Sequence, residues 1–422
     1  MFARRARFVW HSGPAGVLPP AELGAWLNLD EKTLGRPVVA LWPDQGSAWG
    51  DLPAPKHGTH GASALVTRRP DAGTATRAAG FGADDVLVVD DAPTLLEARL
   101  RRLADLAVLR RELDRRRHVA LEFATPCGPG TEPSPQRPAI LFVGSAGGDQ
   151  LRAVNALSGW SIAAYAETAE QACRHLAAAT YATIVVSGVA QEPELQQCIA
   201  GLAACRPNVA PSLVVMRPRD ATFDASTAIA LGADEVIEAG SPQDLVHQRL
   251  SRATLEAGLR ARLRRHEDFA SGRDPVSGAL GHSAFHAYLG SRLVEDRPRS
   301  GALLAVELDG LDELNLRHGF VTGDAALAAV VHSLAENLRA EDLIGRLGGA
   351  AHGVWIDQIE DETLPLLARR LEEAVHATQV RGSSEALTAR LGWARPMPGT
   401  NVLALGRSAR AQARRTALRA VS

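Results

Sequence analysis

Lysine is almost missing from this chain. Only Lys32 and Lys56 occur among 46 basic residues, and none follows position 56. Any chemistry that needs an ammonium group at a fixed place beyond that point is excluded, because a guanidinium differs from it in shape and hydration. Cysteine is scarce as well. Cys127, Cys173, Cys198 and Cys205 show no metal-ligand spacing and read as buried or idle thiols in a reducing cytoplasm. No apolar stretch reaches the length that spans a bilayer, and the apolar part of MFARRARFVWHSG is too short for a signal peptide. The expectation is a cytoplasmic protein with no membrane insertion. Net charge is also close to absent, at −2, which gives no global attraction to nucleic acid. What remains is a soluble globular profile, 46% hydrophobic and 22% charged, over 422 residues, enough for two or three domains.

Residues 138–255 hold the clearest pattern. Apolar runs PAILFVG, ATIVVSG, SLVVM and ADEVIEA alternate with helical stretches at Gln150–Leu157, Thr168–Ala179, Glu194–Cys205 and Ser226–Leu231, with a last helix from Pro242. A short apolar run at Trp160–Ala164 adds a fifth strand. Such alternation predicts a parallel sheet covered on both faces, in the doubly wound, flavodoxin-like order of a response-regulator receiver. Residues 1–118 echo it through FVWHSG, PVVALWP, ALVTRR and DDVLVV. The segment GFGADDVLVVDDAPTLLEARLRRL has the shape of LGADEVIEAGSPQDLVHQRLSRA about 150 residues later, which suggests a duplication. A Pro/Gly-rich stretch, CGPGTEPSPQRP, separates the two copies.

The last 150 or so residues differ in kind. A helical connector, LEAGLRARLRRHEDFA, precedes DPVSGALGH, the strand ALLAVEL and a helix expected over Asp324–Leu338. In RAEDLIGRLGGAAHGVWI two strands should meet at Gly348-Gly349, since paired glycines tolerate the positive φ of a tight hairpin. Strands with packed helices make an α+β domain.

These segments resemble a family. DPVSGALGH is similar to the DPLTGLPNR opening of GGDEF (diguanylate cyclase) domains. VELDGLDELNLRHGFVTGD is similar to their DIDxFKxINDxxGHxxGD segment, and RLGGAAHGVWI stands where R-x-GG[DE]EF-x-V falls. The resemblance implies a chain of α/β class: two CheY-like receivers over 1–118 and 138–255, then an α+β, nucleotidyl-cyclase-like GGDEF domain over 274–420.

Cyclases of this family hold two metal ions with carboxylates, one from the first strand and others from the third and fourth letters of GGDEF. Glu307 keeps the first as a remnant, whereas the hairpin Gly348, Gly349, Ala350, Ala351, His352 has methyl groups at the other two places. A methyl group can neither ligate a hard cation nor take a proton. No catalytic residue, no metal and no cofactor are therefore expected, and the chain is read as not an enzyme. The family's C-terminal phosphate lysine is also missing, with Arg414 a partial substitute in charge. Asn315 and Asp324 match the guanine-contacting pair; they are read either as a remnant that binds GTP weakly or as an ordinary helix end and helix cap.

Arg339-Ala340-Glu341-Asp342 forms an R-x-x-D separated by five residues from Gly348, the spacing of the family's inhibitory site for cyclic di-GMP. Arginine's fork suits guanine N7/O6 and phosphate, and aspartate accepts from guanine N–H groups. Arg370 stands where the family supplies a further arginine. The ligand expected is cyclic di-GMP, bound through Arg339, Asp342 and Arg370.

Both receivers lack their acids. The second offers Gly144-Ser145, Ser187 and Ala239 at the phosphorylation positions; the first offers His11-Ser12, Trp42 with Asp44 nearby, and Val89. They are read as dimerisation and docking surfaces, giving a homodimer. Two receivers, an alanine-bearing hairpin and an intact R-x-x-D together resemble the PopA-type non-catalytic branch. That resemblance implies an adaptor at a cell pole, serving cell-cycle proteolysis with partners of the RcdA, CtrA and ClpXP type. The competing reading is a residual cyclase or GTP-hydrolysing enzyme built on Glu307, Asn315 and Asp324.

Overall fold

Short β-branched runs dominate the first part of the chain, and the computed structural model arranges them as parallel sheets. It describes all residues except 1–5, 12–17, 28–36, 45–60, 124–136, 146, 158, 160, 189–191, 207–210, 219–220, 265–271, 296–300, 381–386 and 421–422. Contacts divide the chain into two units. One comprises Phe2–Arg111 and Thr131–Ala261, the other Glu112–Gly130 and Arg262–Ser422. Cys127, Ser12, most of the Pro/Gly-rich linker and residues 265–270 of the connector lie outside the described residues.

The first unit holds two parallel sheets. Strands β1 (Arg7–Trp10), β2 (Val38–Pro43), β3 (Ala62–Thr67) and β4 (Asp85–Val88) lie in sequence order, with helices α1 (Gly24–Leu27), α2 (Thr74–Gly80) and α3 (Pro93–Phe123) between and after them. The second sheet runs β6 (Ile162–Ala166), β5 (Ala139–Val143), β7 (Thr183–Val186), β8 (Ser212–Arg217), β9 (Glu235–Glu238). That is the doubly wound order 2-1-3-4-5, compatible with a receiver-like layer. Helices α4 (Gly148–Leu157), α5 (Ala169–Ala178), α6 (Glu192–Cys205), α7 (Ala225–Ala230) and α8 (Gln243–Arg264) connect and cover it. Alternate residues feed opposite faces: Leu141 and Val143 enter one apolar cluster, Ile140 and Phe142 another.

The repeated segments meet each other in swapped pairs. Thr76 bonds Asp244 while Thr94 bonds Ser226, and Leu95 packs into the second layer's core while Leu245 packs into the first's. Arg252 reaches Asp85 of β4, and Arg99 reaches Glu235 of β9 at 3.1 Å. Positions about 150 apart thus exchange partners, the signature of an approximate two-fold pairing of duplicated elements. Glu235 is fully buried and also takes Arg249, at 3.4 Å, and Arg252.

One expectation is corrected here. Cys173 of α5 and Cys205 at the end of α6 are joined by a disulfide rather than left as idle thiols, with Cα atoms 5.9 Å apart. The two helices pack side by side, so residues 32 apart in sequence become neighbours. Among the described cysteines Cys198 is free, and burial pushes its thiol up to about 11.

The second unit is an antiparallel sheet ordered β11 (Leu343–Gly348), β12 (Ala351–Ile356), β10 (Ala302–Asp309), β13 (Thr388–Ala394). Leu304, Val306 and Leu308 of β10 face the core under α10 (Leu311–His318), α11 (Phe320–Glu336) and α12 (Thr363–His376). Leu303 and Ala305 face the other side, with α9 (His282–Glu295), α13 (Val402–Ala420) and Val119 of α3. Gly345 and Gly353 oppose each other across β11 and β12, and a Cβ at either would lie 2.2 or 2.6 Å from the Phe285 ring. Only glycine admits that close approach. The expected hairpin forms at Gly348 (φ 121°) and Gly349 (φ 59°).

A second correction concerns the helix expected over Asp324–Leu338. It starts earlier, at Phe320, because Gly319 at φ 84° breaks the chain sharply between α10 and α11. Asp324 therefore sits inside α11 rather than capping it, and Asn315 lies inside α10, its carbonyl accepting from Gly319 N–H.

Removing the carboxylate that three arginines share takes from Arg249 its acidic partner and leaves Arg99 and Arg252, both buried, with one acid each, Asp91 and Asp85. Glu235→Ala should lower the stability of the first unit by about 3–5 kcal/mol in urea-induced unfolding. A loss below about 1 kcal/mol would show that the cluster adds nothing to folding.

Candidate functional site

Glu307 lies on β10, opposite Ala351 in one neighbouring strand and Arg390 in the other. The register therefore sets Glu307 beside the hairpin. Ala351 is buried, and Ala350 packs against the core. Glu307 is almost fully buried, and its charge is met from within the chain. Arg410 Nε donates to Oε1 at 2.7 Å, and Arg414 Nε lies 3.6 Å from Oε2. Both arginines come from α13, one helical turn apart, which places them on one face. Among the described residues, no group of three or more His, Cys, Asp or Glu could hold a metal ion. Arg414, expected as a partial substitute in charge for the family's C-terminal lysine, lies beside Glu307. Arg410 was not anticipated. Its only sequence signal is the four-residue spacing to Arg414.

At the corner between α10 and α11, Asn315 Oδ1 is buried and has no hydrogen-bond partner among the described residues. It faces Gly323, where an added Cβ would fall 1.8 Å from that oxygen. Asp324, the next residue, is exposed. The helix break at Gly319 thus brings Asn315 and the Gly323-Asp324 step to one corner. Leu316, Phe320 and Val321 flank it, each more than three-quarters exposed.

The R-x-x-D segment forms the turn between α11 and β11. Asp342 Oδ2 accepts from the Arg339 backbone N–H at 2.9 Å, and Asp342 N–H donates to Arg339 O at 3.2 Å. The aspartate thereby closes the turn over its own arginine. Asp342 is buried, while the Arg339 side chain is exposed. Arg370 of α12 donates to the Asn337 carbonyl at 2.6 Å. Arg339, Asp342 and Arg370 consequently share one corner, where α11 ends.

The positions of the expected phosphorylation pocket are occupied by other interactions. His11 stacks on Trp42 with ring centroids 4.0 Å apart. Asp44 is paired with Arg77 at 2.9 Å. Ser187 is buried, and Ser145 donates to the Gly188 carbonyl.

His352, the fifth letter of the hairpin, is fully buried between Val306 and Arg346 in the sheet register. Both ring nitrogens lack a hydrogen-bond partner among the described residues. Burial first, and then the nearby Arg346 cation, push its pKa down to about 4.

Residues 271–417 match the family described as "Diguanylate cyclase, GGDEF domain". The chain is 32% identical over 137 residues to an uncharacterized 19.3 kDa protein in the repSA 5′ region of Streptomyces ambofaciens, covering 31% of this chain and 72% of that one. It is 26% identical over 103 residues to the probable diguanylate cyclase DgcT of Escherichia coli (strain K12), covering 24% of this chain. It spans only 23% of that second protein's length. Among solved structures, a sensory box/GGDEF family protein from Caulobacter crescentus is 26% identical, over 35% of this chain and 99% of that one, with a TM-score of 0.33.

The buried imidazole yields a pH dependence with a definite sign. Unfolded, it takes a proton near its ordinary 6.5; folded, only near 4. Its contribution to stability is complete above pH 6.5 and is lost as pH falls toward 4, by an amount on the order of 3 kcal/mol. His352→Phe should flatten that part of the stability–pH curve and raise stability by about 1–3 kcal/mol at neutral pH, since two unsatisfied nitrogens disappear. Urea midpoints measured across this pH range check both, and an unchanged slope would contradict the assignment.

Proposed function

We propose that this chain, which belongs to the GGDEF family through residues 271–417, receives cyclic di-GMP rather than making it. The observation that supports this most directly is the state of Glu307. A cyclase leaves this carboxylate free for a metal ion, but here Arg410 occupies it from inside the fold. A guanidinium supplies positive charge with no open coordination position for a triphosphate or a hydroxyl nucleophile. Ala350 and Ala351 remove the two other acids. On this reading the domain has no step to perform on GTP.

The retained chemistry lies at the other corner. Arg339 is exposed above a turn that Asp342 closes, and Arg370 stands beside it. A cyclic dinucleotide carries two guanine edges and two phosphates, so it suits two guanidinium forks with an acceptor between them. Asp342 would take guanine N–H groups while continuing to cap the turn. Asn315, with its unpartnered carbonyl oxygen beside exposed Asp324, suits a guanine base and supports weak GTP binding as a second input.

The first unit serves docking in this reading. Its two parallel layers are receivers that take no phosphoryl group, since Asp44 is held by Arg77 and no other acid stands at the expected positions. The whole is then an adaptor of the PopA type, dimeric, licensed by cyclic di-GMP at a cell pole and presenting clients of the CtrA kind to ClpXP with an RcdA-like partner.

Two measurements test the core of this. Calorimetric titration should show cyclic di-GMP binding at micromolar or tighter affinity, and Arg339→Ala should weaken it by about 2–5 kcal/mol without unfolding the domain. Wild-type protein indifferent to the dinucleotide would overturn the reading. Incubation with GTP and Mg²⁺ or Mn²⁺ should give no cyclic di-GMP by chromatography; product above a protein-free control would restore the enzyme alternative.

A further inference from the structure

Arg116 stands near the end of α3, in the arginine-rich run RRELDRRRH. It has no exposed surface at all. Its Nε donates to Glu112 Oε1 at 2.6 Å and its Nη1 to the Leu263 carbonyl at 2.6 Å. Its Nη2 faces three consecutive carbonyls, of Ala340, Glu341 and Asp342, at 3.3, 3.2 and 3.3 Å. Those are the last three residues of the R-x-x-D turn.

The arrangement is reinforced from both sides. Glu112 also accepts from Arg115 at 2.8 Å and from the Tyr288 hydroxyl at 2.8 Å, tying this end of α3 to α9. Burial, followed by the nearby Glu112 charge, raises the Tyr288 pKa, which keeps the phenol a donor. Arg264, the last residue of α8, donates to the carbonyls of Ala335 and Leu338 at 3.2 and 3.1 Å. The end of α11 and the turn that follows are therefore held through their carbonyls by Arg264 and Arg116, with Arg370 on the Asn337 carbonyl between them. The opposite face of the turn, with Arg339 outermost, remains open to solvent.

We infer that Arg116 is a positioning residue for the Arg339–Asp342 site: it fixes the turn through its carbonyls, so that occupancy of the site is transmitted to the end of α3. This rests on the cyclic di-GMP reading above. A planar guanidinium can meet Glu112, Leu263 and the turn at once because its donors point in fixed, divergent directions. An ammonium keeps the charge but cannot span them. When a ligand engages the Asp342 carboxylate, the peptide groups of 340–342 tighten against Arg116. The amides of residues 112–123 then exchange more slowly.

The test uses the full chain as wild type, Arg116→Lys and Tyr288→Phe. Cyclic di-GMP affinity is measured by calorimetry, hydrogen exchange is followed at 112–123 and 339–343 with and without ligand, and thermal melting reports folding. Arg116→Lys should weaken binding about tenfold and abolish the ligand-induced slowing at 112–123, although its charge is kept and it still melts cooperatively. A purely structural arginine would lower the melting temperature and leave ligand-dependent exchange intact. If Arg116→Lys does not fold, Tyr288→Phe, which only loosens Glu112, carries the comparison and should weaken binding about threefold. Wild-type protein that binds, with a folded variant that binds equally and shows the same slowing, overturns this inference alone. Wild-type protein that does not bind overturns the functional reading and this inference together.

Discussion

A carboxylate taken out of water must be given a counter-charge, and in this chain the counter-charge is a guanidinium. Glu235 is surrounded by Arg99, Arg249 and Arg252; Glu256 by Arg102 and Arg260; Glu112 by Arg115 and Arg116; Glu307 by Arg410 and Arg414. Several of these groups have almost no exposed surface, so each pair is held by geometry as well as charge. Lysine could not serve in the same way. Its ammonium is a strongly hydrated point charge, whereas the guanidinium fork meets two or three acceptors and desolvates more readily. The near-absence of lysine and the density of buried ion pairs are two views of one composition.

The same chemistry that stabilises the interior also meets the charge of Glu307, the carboxylate beside the hairpin. In a metal-dependent site the carboxylates stay unneutralised until the cation arrives, and that electrostatic tension is part of metal affinity. Once Arg410 lies against Glu307, the tension is relieved by folding itself. Ala350 and Ala351 fit this state, because carboxylates at those hairpin positions would add like charge beside Glu307. The uncharged hairpin positions and the internal cation are therefore mutually supporting.

Much of the fold was legible because it depends on local periodicity. The runs AILFV, TIVV and SLVVMR are continuous β-branched or apolar segments bounded by helices, and they became the central strands of the five-stranded sheet. The Gly348-Gly349 turn was legible because its backbone demands positive φ. Features set by tertiary contact were not. Nothing in the 32-residue spacing of Cys173 and Cys205 shows that their helices lie side by side. Arg116 sits among other basic residues, and only the packing of α3 against the R-x-x-D turn buries it. Asp324 resembled a cap because the helix break at Gly319 depends on a φ that any glycine permits but none requires. At the candidate site the sequence supplied residue types and spacing, and packing decided which charges were free.

The hairpin glycines have a structural cause of their own. Gly345 and Gly353 admit the Phe285 ring onto the sheet, and Gly348 and Gly349 turn the chain so that this register holds. A side chain at Gly345 or Gly353 would collide with that ring and displace β11, the strand that continues from Asp342. The hairpin thus helps to set where the R-x-x-D turn begins its strand, while His352 occupies a core position beneath it. The geometry of the hairpin and that of the R-x-x-D turn are therefore coupled through one strand, β11.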